Sequence, residues 1–165
     1  MTPLKYDKSK DNGWQLLSNK TPPITKFEIV EVLRKGENAI SGEELLKRAK
    51  QGHLDLGQNI AEYLLEHRDE IPKEWRSYDI VFPGTVWQDS GGSRYVPYLY
   101  WRGGRWYLFF YWLEYVWYSN DRLLRAVKPS GTRKLGKEAL GTSVATITAR
   151  IRVGNEMYEG TLTKR

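Results

Sequence analysis

The sequence predicts an α+β protein: a small N-terminal helical unit, then an antiparallel aromatic-rich sheet, then a C-terminal β-hairpin. Three observations carry this. Apolar residues recur at helical spacing between Ser41 and His67. The composition shifts at Tyr78, and thirteen of the twenty-four residues 95–118 are Trp, Tyr or Phe. Apolar and polar residues alternate again in Ala145–Val153 and Met157–Thr163, around Gly154-Asn155. The implied organisation is an arm over 1–23, a helical unit over 24–77, an aromatic β-rich region over 78–128 and a basic hairpin over 129–165.

Residues 1–23 are polar, carry Pro22-Pro23, and read as a loose arm docked locally by Trp14, Leu16 and Leu17. Phe27, Val30 and Leu33 at helical spacing place a helix over 24–33, although Phe27, Ile29 and the β-branched content also permit a strand. Ser41-Gly-Glu-Glu44 is a capping-box pattern that starts a helix bearing Leu45, Leu46 and Ala49 and stopped by Gly52. A second amphipathic helix runs from Leu56 to His67, ended by Ile71-Pro72, and Pro72 opens a short turn with Trp75.

Short strands follow at Asp79–Phe82 and Thr85–Trp87, with a loop over 88–93. Tyr95–Trp101 is a strand in which Pro97 marks an edge or a bulge. Arg102-Gly-Gly-Arg105 is a hairpin turn, because its glycines supply positive φ. Trp106–Trp112 returns, Leu113–Asp121 is a polar loop, and Arg122–Val127 closes the region.

At 165 residues with no cysteine, the chain excludes disulfides, thiolate metal sites and thiol catalysis. No signal-peptide pattern and no apolar run near the ~18 residues of a membrane span are visible, so no membrane span and a cytoplasmic location are the expectation. The net charge of +6 comes largely from the C-terminal third, including Arg122, Arg125, Lys128, Arg133, Lys134, Lys137, Arg150 and Arg152. A basic face of this kind leaves nucleic acid open as a partner.

Catalytic chemistry finds little support. His53 and His67 sit near helix ends without metal-ligand spacing. Gly91-Gly92 and Gly103-Gly104 read as turns rather than phosphate loops. Asp89-Ser90 and Asn120-Asp121 offer oxygens to Ca²⁺ but are more often plain loop. Glu62 and Glu66 read as solvated. No enzyme, no catalytic residue, no metal and no cofactor is the expectation.

The alternation from Trp106 to Trp112 is more informative. In a strand, Trp106, Leu108, Phe110 and Trp112 share one face as core, and Tyr107, Phe109 and Tyr111 share the other. A sheet covered on both faces, by the N-terminal helices for example, would put every ring in the core. If the second set is partly exposed instead, rings of this number mark a partner surface. The predicted ligand-binding residues are Tyr98, Tyr100, Tyr107, Phe109, Tyr111, Tyr115 and Tyr118, with Arg102 and Arg105 as polar anchors and Trp106, Leu108, Phe110, Trp112 and Trp117 as rigid support. The partner is a protein or other macromolecular ligand. The alternatives are single-stranded nucleic acid stacked on the same rings, or an oligomer interface.

ISGEELLKRA, LGQNIAEYLLE, IPKEWR, FPGTVWQDSGGSRYVPYLYW and GGRWYLFFYWLEYVWYSNDRLLR together resemble a family of small uncharacterised bacterial proteins, over roughly residues 26–127. The last segment also resembles the variable region of proteins diversified by diversity-generating retroelements, in which template adenines are randomised. That resemblance implies a C-type-lectin-like fold displaying varied residues. Tyr107, Phe109, Tyr111, Tyr115 and Tyr118 are each reachable from an Asn codon by changing adenines alone. A template Trp codon holds no adenine, which implies Trp106, Trp112 and Trp117 as fixed scaffold, although Trp also arises from one Arg codon.

Overall fold

The computed structural model describes residues 3–19, 26–127, 146–153 and 156–163. The chain divides into two compact units, Met1–Pro22 with Glu28–Arg125, and Pro23–Phe27 with Ala126–Arg165. The architecture is α+β, with few helices and a mixed sheet. Among the described residues, no helix is long and apolar enough to cross a membrane.

In chain order the elements are α1 (Lys8–Asn12), β1 (Gln15–Asn19), β2 (Lys26–Glu31), β3 (Ala39–Ser41), α2 (Gly42–Gln51), α3 (Gln58–Glu66), 3-10 turns at Arg68–Glu70 and Lys73–Ser77, β4 (Asp79–Val81), β5 (Thr85–Gln88), β6 (Arg94–Arg102), β7 (Arg105–Trp112), β8 (Val116–Tyr118), β9 (Asp121–Val127), β10 (Thr146–Val153) and β11 (Glu156–Thr163). The main sheet runs β1-β5-β6-β4-β9-β2, and β7 pairs with the other edge of β6. It is mixed rather than antiparallel throughout, because β4 and β9 run parallel. β3 and β8 form a separate two-stranded ribbon.

Strand β6 organises the sheet. One edge pairs along its whole length with β7 across the Gly103-Gly104 turn, whose φ values of 59° and 83° are the two positive angles a tight hairpin requires. Its other edge is shared: Arg94 and Tyr95 pair with β5, and Tyr98 and Leu99 pair with β4. β4 and β5 are therefore one interrupted strand, bulged at Phe82–Gly84. Pro97 lies at that bulge, where its carbonyl accepts the Phe82 N–H at 2.9 Å. Both edges of β6 are occupied, so the bulge reading of Pro97 holds and the edge reading does not. Gly84 is required there: an added Cβ would lie 2.2 Å from the Asp55 carbonyl oxygen.

The two faces of the sheet are covered differently. Register partners share a face, so Val96, Tyr98 and Tyr100 stand with Tyr107, Phe109 and Tyr111, and with Val81 and Leu123 of the neighbouring strands. Part of this face packs under α2, where Leu45, Ala49, Ile40, Leu113 and Trp117 join Val81, Val96 and Leu123 in one core cluster. The opposite face carries Leu99, Trp106 and Phe110, all buried, and α3 packs there against β6 and β7. α2 begins where Ser41 Oγ accepts the Glu44 N–H at 3.2 Å. The second half of the capping box is not made, because the Glu44 carboxylate turns to Arg48 at 2.8 Å. Arg48 also grips Glu37 with two bonds and holds that carboxyl down at about 2.

Several sequence expectations are corrected here. Lys26–Glu31 is a strand, not a helix. Its pairing beside β9 decides this: Glu28 pairs with Arg125 and Glu31 with Arg122 of that strand, while Val30 packs against the core cluster. The helices are not a unit apart from the sheet, since α2 and α3 pack on its faces within one compact unit. The first nineteen residues are not a loose arm. They contain α1 and β1, and β1 pairs with β5. Glu62 accepts the N–H groups of Lys5 and Tyr6 at 3.0 Å each, so it is a buried acceptor rather than a solvated charge. Lys5 Nζ pairs with Glu66. Leu113–Asp121 is not a plain loop, because β8 lies within it.

In the second unit, β10 and β11 pair antiparallel from Thr146↔Thr163 to Val153↔Glu156. The C-terminal hairpin is thus present as expected. Its Gly154-Asn155 turn and the basic residues Lys128, Arg133, Lys134 and Lys137 lie outside the described residues.

Candidate functional site

The ring-bearing residues predicted at sequence level come together in a continuous chain of contacts. Tyr107 stacks on Tyr100 at 5.4 Å, and Tyr100 stacks on Tyr98 at 5.4 Å. Tyr98 meets the edges of Phe109 at 6.4 Å and Tyr111 at 5.7 Å. Tyr111 continues to Tyr115 at 5.5 Å and to Trp117 at 5.2 Å. These are offset-stacked and edge-to-face geometries, which aromatic quadrupoles favour. Tyr118 stands apart from the ring contacts but flanks the same surface on β8.

Exposure is graded along this face. Phe109 is 59% exposed, and Tyr115 and Tyr118 are each 48% exposed. Tyr100 and Tyr107 are half-buried, as are Tyr98 and Tyr111, which rest on the core cluster. The face is covered at the Val96 end by α2 and open toward the hairpin turn. At that turn Arg105 lies over the Tyr107 ring, its guanidinium 4.8 Å from the centroid, and its Nε donates to the Tyr107 hydroxyl. Arg102 is the exposed register partner of Arg105.

Of the predicted support residues, Trp106, Phe110 and Trp117 are buried and Leu108 is half-buried. Trp112 is not support: it is 46% exposed. Trp14 takes that place instead, stacking on Tyr95 at 4.3 Å with its edge toward Phe110 at 6.0 Å. The alternation assigns Trp112 to the correct face but cannot show where cover runs out.

Beneath the open rings lies a feature that the sequence reading missed. Tyr98, Tyr111, Trp117 and Tyr118 line a cleft of about 90 Å³ together with Asn120, Asp79 and Asp121. The parallel pairing of β4 and β9 sets Asp79 opposite Asp121. Asp121 Oδ2 accepts the Tyr118 N–H at 2.7 Å, and the Asn120 carbonyl accepts the Asp79 N–H at 3.0 Å. Burial pushes Asp121 up to about 6 against the Tyr118 hydrogen bond, and the Asp79 charge adds to the rise. Burial also raises Asp79. Tyr98 is pushed up to about 12 by burial and by the Asp79 charge, so its hydroxyl stays protonated.

The Asp89-Ser90 loop, weighed above as a source of oxygens for Ca²⁺, already uses its carboxylate. Asp89 is occupied by its own loop, accepting from Gly91 and Ser93 N–H groups and from the Tyr95 hydroxyl at 3.2 Å. Among the described residues no group of three or more His, Asp or Glu could hold a metal ion. His67 Nδ1 lies 2.8 Å from the Tyr63 carbonyl, with the His67 ring stacked on Tyr63. Two of the basic residues assigned to a nucleic-acid face are committed elsewhere. Arg122 pairs with Glu31 at 3.2 Å and lies over the Tyr78 ring, and Arg125 pairs with Glu28 at 2.9 Å. No protein family, curated protein or solved structure matches the chain, and the case for this site rests on its own geometry.

Proposed function

We propose that the protein is a non-catalytic binding protein that presents its Tyr/Phe-rich face to a protein or other macromolecular ligand. One observation carries the reading: Phe109, at 59% exposure, stands among linked rings whose inner members are anchored on the core. Anchored rings lose little conformational entropy on binding, and Tyr and Phe then bring large contact area. Tyr115 and Tyr118 widen the patch, and Arg102 and Arg105 supply polar contacts at its tip. On the retroelement resemblance, the exposed ring positions are the diversified ones.

The test is capture by the immobilised full chain against a Phe109→Ala/Tyr115→Ala variant. The expected outcome is a ligand retained by the native chain and lost by the variant, with thermal unfolding of the two nearly coincident. A ligand retained equally by both would sink the reading. Retention that falls steeply with salt, and binds single-stranded nucleic acid, would move the function to the stacking alternative.

A further inference from the structure

The cleft beside the exposed rings has a chemistry of its own. Its walls are the rings of Tyr98, Tyr111 and Trp117, and its charged groups are Asp79 and Asp121. Two carboxyls set side by side in partly desolvated surroundings repel one another, and removing each from water adds to the cost. No cation among the described residues is seen to offset them: burial alone raises Asp79, while burial, the Tyr118 N–H and the Asp79 charge act on Asp121. Arg122, next in sequence to Asp121, points to the opposite face and is held by Glu31 and the Tyr78 ring. Aromatic ring faces carry negative quadrupole charge, so walls and carboxylates select for the same sign of ligand.

We propose that this cleft binds an alkylammonium group, held by the carboxylates of Asp79 and Asp121 and packed against the rings of Tyr98, Tyr111 and Trp117. The volume of about 90 Å³ admits the head of such a ligand and no more, since sites for drug-sized molecules span about 300–1,000 Å³. A hard metal ion is a poorer fit. It takes six or more oxygen ligands in the case of Ca²⁺, and the described residues offer no cluster of three acidic or imidazole groups. An ammonium needs fewer acceptors, and its CH₂ groups suit ring walls. The ammonium is carried either by a free amine or by a lysine side chain of a larger ligand. The site stands on the cleft alone, so it holds whether or not a macromolecule covers Phe109.

Binding also acquires a pH dependence. The titratable groups facing the cleft are Asp79 from β4, Asp121 at the start of β9, Tyr98 from β6, Tyr111 from β7 and Tyr118 from β8. The tyrosines Tyr98 and Tyr111 are raised and stay neutral, which leaves the two carboxyls to titrate. Protonating Asp121 near its value of about 6 removes charge from the site, so affinity rises with pH across that region.

The experiment is an amide and indole NMR titration of the full chain with n-butylammonium chloride, and separately with Nα-acetyl-lysine N-methylamide. Potassium chloride at matched ionic strength is the control. The expected result is a saturable shift of the Trp117 indole N–H, which donates to the Leu113 carbonyl at 3.1 Å. Affinity should be weaker by roughly tenfold or more in Asp79→Asn and Asp121→Asn, the loss of a charge-assisted hydrogen bond. It should also fall at about pH 5 relative to about pH 7.5, on either side of the Asp121 midpoint. Preference for the lysine compound identifies a peptide side chain as the source, and equal binding identifies a free amine. The proposal is overturned by no saturable shift, by an equal shift with potassium, or by undiminished binding in both folded Asn variants. A shift with calcium chloride and none with either ammonium compound would also overturn it.

Discussion

Asp79 and Asp121 are direct register partners on the parallel strands β4 and β9, on the face that carries Tyr98 and Tyr111. Each opens its strand, Asp79 ahead of Ile80-Val81 and Asp121 ahead of Arg122-Leu123. The sheet thus brings two like charges to one point, one of them also accepting the Tyr118 N–H.

That relationship predicts an unusual stability profile. The carboxyl of Asp121 titrates at about 6 in the folded chain, against an ordinary unfolded value near 3.9. The folded state therefore holds its proton more tightly. Its contribution is neutral below the unfolded value and becomes increasingly destabilising as pH rises to about 6. Discounted for partial exposure, the penalty at neutral pH is on the order of 1–2 kcal/mol. Asp121→Asn keeps an oxygen for the Tyr118 N–H and removes the charge. It should raise Tm by about 2–8 °C at neutral pH and by almost nothing near pH 4, in thermal scans read by circular dichroism. A loss of stability at neutral pH would show that the carboxylate is compensated.

The graded exposure along β7 predicts graded costs. Phe109→Ala removes a ring that is mostly in water, and should cost less than about 1 kcal/mol. Tyr111→Ala removes contacts to Tyr98, Tyr115 and Trp117 and should cost about 2–3 kcal/mol. Trp106→Ala, on the face under α3, should cost about 3–5 kcal/mol. Urea unfolding of the three variants decides it, and equal costs at Phe109 and Trp106 would mean that the two faces are equivalent.

The local parts of this fold were legible because short-range chemistry fixes them. Gly103-Gly104 between alternating strands can scarcely be anything but a hairpin turn, and Ser41 ahead of an apolar stripe reads as a helix start. The order of rings along β6 and β7 likewise gave the face on which Tyr107, Phe109 and Tyr111 stand together. Long-range pairing was not legible. Nothing local announces that β1 joins β5, or that Asp79 meets Asp121 across forty-two positions of chain, the difference of their numbers. Trp112 shows the same limit from the other side, since periodicity assigns a face while cover depends on Trp14, a distant residue. Lys26–Glu31 is short enough that either period fits, and its pairing beside β9 decided the matter.

Gln58 predicts the role of the N-terminal segment. It is fully buried, and its carboxamide donates to the Tyr6 carbonyl at 2.8 Å and to Glu62 at 2.9 Å while accepting from Trp87 Nε1 at 2.8 Å. The segment ahead of α1, helix α3 itself and β5 thus meet on one side chain. Gln58→Leu fills the space but strands the Trp87 N–H and the Tyr6 carbonyl, at a cost of about 2–4 kcal/mol. The Lys5 and Tyr6 amides, which donate to Glu62, should also lose protection in hydrogen exchange. Unchanged protection with reduced stability would mean that the segment is held by β1 alone.

Trp112 offers the sharpest test of the diversified-surface reading. Ordinary drift tolerates change where a side chain is exposed, and Trp112 is 46% exposed beside Tyr115 at 6.4 Å. Drift therefore predicts that position 112 varies along with 109, 115 and 118, while buried Trp106 and Trp117 stay fixed. Adenine-directed mutagenesis acts on codons and is blind to exposure. It predicts substitutions at Tyr107, Phe109, Tyr111, Tyr115 and Tyr118, half-buried Tyr111 included, and, where the template carries the adenine-free Trp codon, an untouched Trp112. Deep sequencing of the coding region for residues 90–130 across a natural population separates the two. A fixed tryptophan at an exposed position, flanked by varying tyrosines, has no explanation in packing and supports a mechanism that reads the nucleotide. Variation at position 112 through bases other than template adenines would make the aromatic face an ordinary interface, and an invariant segment would make it a fixed one.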